Sequence, residues 1–200
     1  MTDKEKLSSL ADHWNRIEKR VKQAEQVRGE VVIPAINELR YAGRKIVDAW
    51  LLYAKPISTE EDRKEFEETL AVIKQYLLNA DHDISDAICF TLHKQMQYFL
   101  RRYGIRTITK HFNDFPSFLA EMRDVNNTIS QSRETRVQRI DKYNEIAGDY
   151  IPKLVAYYDQ LLTSAELALE KELRQRYINW GFAILGVAGS LASIITLLNS

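Results

Sequence analysis

The residues best suited to chemistry in this chain are Arg106 and His111, which sit five positions apart in Arg106-Thr107-Ile108-Thr109-Lys110-His111. A guanidinium can offset phosphate charge, and an imidazole can move a proton near neutral pH. On an ideal helix, residues five apart diverge by about 140°. Convergence of the two would therefore need irregular backbone or a second copy. Asp81-His82-Asp83 holds metal-ligating side chains, but consecutive residues on a turn rarely converge on one ion, and no metal or cofactor is expected. Cys89 stands alone within an apolar helical pattern, so it reads as a packed thiol in a reducing compartment. Glycine-rich phosphate loops and the HExxH and GxSxG patterns are absent.

The Arg106–His111 spacing resembles the R-x4-H motif of HEPN-type ribonucleases, which are all-α domains that usually work as dimers. The resemblance implies a membrane-tethered ribonuclease using Arg106 and His111, and it rests on those six residues and a helical background. The leading expectation is a non-enzymatic protein.

The elements that must position these residues are helical. Leu7, Leu10, Trp14, Ile17, Val21 and Ala24 recur at steps of three and four, and Gly29 interrupts the run. A second helix is predicted from Pro34, with Ile36, Leu39, Gly43, Ile46 and Trp50 on its inner stripe and Pro56 closing it. Ser58 and Glu61 have capping-box spacing ahead of a third helix bearing Phe66, Leu70, Ile73 and Leu77. Asn79 to Asp83 reads as a polar break before a fourth helix, Ile84 to Leu100, which ends at Gly104. Ile105 to Asp114 reads as irregular or extended. A fifth helix starts near Pro116, leaves the core or breaks over Ser130–Arg136, and resumes with Val137, Ile140, Tyr143 and Ala147. Gly148 and Pro152 mark a further boundary. The expected fold is an all-α cytoplasmic antiparallel helical bundle with long helices over residues 1–149, a membrane-proximal helix over 150–176 and a transmembrane helix over 177–198.

That last stretch, Tyr177 to Leu198, carries no charge, whereas all 28 Lys/Arg and 28 Asp/Glu precede it. It meets the length of about 20 apolar residues that a bilayer span needs. Arg174 and Arg176 before it, with Tyr177 and Trp180 at the interface, imply a single-pass, tail-anchored protein whose N-terminus is cytoplasmic. Within the stretch Ala183, Gly186, Gly189, Ser190, Ser193 and Thr196 form a small, mildly polar face suited to helix packing or to lining a pore. The balanced total charge argues against nucleic acid as a partner. The expected partners are the lipid bilayer, further copies of the chain as a homo-oligomer, and a cytoplasmic protein. The expected function is a membrane effector or scaffold, with a pore-forming version and a passive adaptor as variants. In architecture this resembles the small helical-plus-transmembrane effectors of prokaryotic defence systems.

Overall fold

The computed structural model describes residues 2–55 and 59–198; the side chains of 136, 164 and 186–198 lie outside the described residues. The protein is all-helical, and no strand occurs among the described residues. Its chain divides into two compact units: Met1–Gln95 with Ala120–Val155, and Met96–Leu119 with Ala156–Ser200.

In the first unit, α1 (Asp3–Arg28) opens with a capping box formed by Thr2 and Glu5, and it closes on Gly29 at φ 69°. Only glycine takes that left-handed conformation without steric cost. Helix α2 (Ile33–Tyr53) has proline in its first turn and packs along α1. Its inner face is offset from the predicted stripe. Ala35, Leu39, Ala42 and Ala49 are buried, while Ile36 and Trp50 stand in solvent. Small alanines let the helices approach closely, which leaves the bulky residues outside. The Trp14 indole donates from Nε1 to the Leu39 carbonyl at 3.0 Å.

The predicted third and fourth helices are a single one, α3 (Glu60–Tyr103). The polar stretch Asn79–Asp83 does not break it, because its side chains find protein partners instead of water. Asn79 donates to Glu38 at 3.2 Å, Asp81 pairs with Arg20, and the His82 ring stacks on Tyr143 with centroids 3.9 Å apart. The capping box at its start is built by Thr59 and Asp62, each bonding the other's backbone N–H. This is one residue beyond the predicted pair; Ser58 and Pro56 lie outside the described residues. Phe66, Leu70, Ile73, Leu77, Ile84, Ile88 and Leu92 are buried as their spacing predicts.

Helix α5 (Phe115–Glu134) does end within the polar stretch, and a 3-10 turn at Arg136–Gln138 leads into α6 (Arg139–Glu145). Val137 is 92% exposed, so the apolar stripe resumes inward only at Tyr143. The boundary expected at Gly148 and Pro152 is a change of helix type and not an end of the helix: a π turn at Ile146–Tyr150 joins α6 to α7 (Ile151–Gln160). That wider turn makes room for the Pro152 ring, which would crowd the preceding carbonyls of an α-helix.

The second unit takes the last turns of α3 and the beginning of α5. It also contains α4 (Ile105–His111), a second π turn at Leu161–Ala165, and α8 (Glu166–Leu198). Helix α4 replaces the predicted irregular stretch. Gly104, at φ 76°, separates it from α3 and accepts from the N–H of Thr107 and Ile108. Phe112, Phe115, Phe118 and Tyr157 form a chain of ring contacts between 5.9 and 6.4 Å. Leu161, Ala165 and Leu169 are buried in the same unit.

Two consequences are measurable. A methyl group built on Gly43 would meet the Trp14 indole at 3.6 Å, an ordinary contact. The glycine is therefore not needed for space, and Gly43→Ala should raise unfolding stability by about 0.5–1 kcal/mol in urea titrations. Burial, followed by nearby Arg139, pushes His82 down to about 4 from 6.5, against a smaller upward pull from Asp86. Its folded pKa lies below the unfolded one, so stability is full above about pH 6.5 and falls as pH drops toward 4. In His82→Phe, which keeps a ring against Tyr143, thermal unfolding should lose less stability across that window.

Candidate functional site at the base of the charge-free helix

Within the second unit, the first turns of α8 carry a cluster of ionic contacts. Helix α4, with Thr107 and Ile108 buried, packs on α8, which brings its basic end beside Glu172. Lys110 Nζ donates to Glu172 at 3.0 Å, and His111 Nε2 lies 2.8 Å from the same oxygen. Arg176, one turn along α8, donates to the other Glu172 oxygen at 3.2 Å and also to the Thr107 hydroxyl. Nearer the start of α8, Glu170 accepts from Arg102 at 2.7 Å and from the Tyr103 hydroxyl at 3.0 Å. The Arg102 guanidinium also lies 5.5 Å from the Tyr103 ring centroid.

The electrostatics follow from this geometry. The bonds from His111 and then Lys110 hold the Glu172 carboxyl down at about 2. The Tyr103 hydroxyl and then Arg102 lower Glu170 as well. Burial and then the bond to Glu170 raise Tyr103. Tyr103 is buried, but the charged side chains remain in reach of water, so each ion pair is worth little alone; together they fix the registry of α4 on α8.

Arg106 is exposed, and no hydrogen bond or ion pair joins it to His111 among the described residues. His111 is engaged by Glu172 instead. Arg174 is exposed, whereas Arg176 is tied back onto the protein. Tyr177 and Trp180 are each 70% exposed. Ala183 is exposed too; Gly186, Gly189, Ser190, Ser193 and Thr196 have side chains outside the described residues. Among the described residues no helix is long and apolar enough to cross a membrane.

Elsewhere, Asp81 turns to Arg20 and His82 to Tyr143. Burial, reinforced by Asp86, pushes the Cys89 thiol up to about 12, so it holds its proton at neutral pH. Among the described residues no group of three or more His, Cys, Asp or Glu could hold a metal.

Sequence reading missed Lys110, Thr107, Glu170 and Glu172 as one cluster. The Glu172–Arg176 spacing of four was a usable signal. The partners from α3 and α4 are some 60 residues away in sequence, where no spacing rule reaches. Comparison with protein-family models, with curated proteins and with solved structures finds no match.

Replacing Glu172 with glutamine removes the charge shared by Lys110, His111 and Arg176. The expected result is faster amide exchange over Ile105–His111, with overall helicity by circular dichroism unchanged. In the parent protein the protection of the same amides, taken relative to their intrinsic exchange at each pH, should fall as pH drops from about 4.5 toward 2. The folded pKa is depressed, so the stabilisation is present above the unfolded value and lost as the carboxyl protonates.

Proposed function

We propose that α8 holds this protein in a lipid bilayer as a single-pass anchor. Its helical part then acts at the membrane surface as a self-associating effector or scaffold, not as an enzyme. The observation that supports the reading is the exposure of the distal part of α8. Every described residue from Arg174 to Leu185 is exposed, and from Tyr177 onward none is charged. Tyr177, Trp180, Phe182, Ile184 and Leu185 are each more than 60% exposed.

At roughly 1.5–3 kcal/mol per large apolar side chain, leaving five in water forgoes on the order of 10 kcal/mol. That rivals the whole stability of a typical domain. At 100° per residue these side chains cover more than about half of the helix circumference. One partner helix covers a single stripe, whereas lipid covers the full girth. The remaining arc holds Asn179 and Ala183, and the sequence continues it with Gly186 and Ser190. Small residues on such an arc favour close pairing with a second copy of the helix.

The basic side chains ahead of Tyr177 suit anionic headgroups and keep the helical part on the cytoplasmic side. Arg101, Arg106 and Lys171 are exposed, with no ion-pair partner among the described residues. The clamp on Glu172 lets an event in the second unit's helices bear directly on the anchor's base.

Vesicle flotation tests this. The full chain should float with liposomes and stay with them through a carbonate wash, while a chain ending at Arg176 should remain in the aqueous fraction. Gly186→Leu should reduce crosslinked dimers in the bilayer without releasing the protein. Extraction of the full chain by carbonate would overturn the anchor, and a crosslinking pattern insensitive to Gly186→Leu would overturn pairing through that face.

A further inference from the structure

The first unit carries a surface groove of about 590 Å³ between α3 and α5, lined also by Arg28 from the last turn of α1. Asp86, Phe90 and His93 recur at steps of four and three along the α3 wall. Asn126, Ser130 and Arg133 do the same along the α5 wall, so both helices turn one face to the groove.

Three features of this groove call for a ligand. Phe90 is 69% exposed, although it lies on the same helix as a well-filled core. An aromatic ring left in water costs free energy unless something stacks on it. The groove also holds two guanidiniums, each only loosely paired. Arg28 is 3.5 Å from Glu30 and Arg133 is 3.5 Å from Asp86, both at the outer limit of a hydrogen bond. Asp86 is already engaged by the Tyr143 hydroxyl at 2.8 Å, so Arg133 can turn to another anion without leaving that carboxylate bare. Finally, the Asn126 amide and the His93 ring sit 3.4 Å apart as neighbouring polar groups with donors and acceptors to offer.

We propose that this groove binds a mononucleotide. The base stacks on Phe90, the phosphates lie against Arg133 and Arg28, and Asn126 with His93 bonds the polar edge of the base or the ribose. The volume falls in the range of small-molecule sites. A flat ring joined to several negative charges matches an exposed aromatic flanked by guanidiniums better than either part alone. The proposal does not depend on α8 entering a membrane.

Calorimetric titration of the full chain in detergent micelles, using magnesium-free ATP, adenosine and pyrophosphate as separate probes, decides it. ATP should bind at least tenfold more tightly than adenosine or pyrophosphate, and its affinity should fall as salt rises. Phe90→Ala and Arg133→Ala should each weaken ATP at least tenfold with circular dichroism unchanged, and Phe90→Trp should retain binding. Because both side chains are exposed, their loss is not expected to unfold the helices. The proposal is overturned if ATP gives no binding heat, if pyrophosphate binds as well as ATP, or if Phe90→Ala leaves ATP affinity intact.

Discussion

An α-helix satisfies its own backbone hydrogen bonds but leaves its side chains to find their own solvent. In α8 that requirement becomes acute where the last charged residue, Arg176, is followed by the exposed Tyr177, Ile178 and Trp180. Upstream, Leu161, Ala165 and Leu169 are buried within the second unit, so one continuous rod passes from a protein-packed environment to an unpacked one. The mismatch between bulky uncharged side chains and water is the constraint from which the functional reading follows. In the proposed reading, lipid would resolve it over the whole circumference and a second helix over the small-residue arc.

The transition between the two environments is marked by charge. Glu170 and Glu172 draw in Arg102, Tyr103, Lys110, His111 and Arg176, so two carboxylates organise donors from α3, α4 and α8. Exposed ion pairs of this kind add little stability one at a time. Their value here is positional. A seven-residue helix such as α4 is too short to be stable by itself, and it keeps its place through buried Thr107 and Ile108 together with these bonds. His111 belongs to that arrangement through its contact with Glu172.

In the first unit the same logic explains how α3 stays continuous through its most polar stretch. Asp81 and His82 look like turn residues when they are read without their neighbours. Arg20 of α1 pairs with Asp81 and the Tyr143 ring of α6 packs on His82, so helix propensity and the flanking apolar pattern prevail. Helix α2 shows the reverse case. Ile36 and Trp50 have the spacing of a core stripe, yet alanines on the adjacent face permit closer packing against α1, and the larger side chains are left outside.

What the amino-acid order determined by itself is local. The helical class followed from apolar steps of three and four, the ends of α1 and α3 from Gly29 and Gly104, and the core of α3 from Phe66, Leu70, Ile73 and Leu77, while the polar run of α5 left open whether the helix breaks or only leaves the core. The charge-free character of 177–198 is likewise a property of the string alone. Only the tertiary structure decided that α3 is one helix, that Pro152 is carried through on a π turn, and which face of α2 is buried. It also decided that His111 pairs with Glu172 and not with Arg106, and that α3 and α5 together wall the groove beside Phe90. Apart from the π turn, these depend on partners far away in sequence. Spacing rules report which residues share a face of one helix, but they carry no information about which other helix will meet that face.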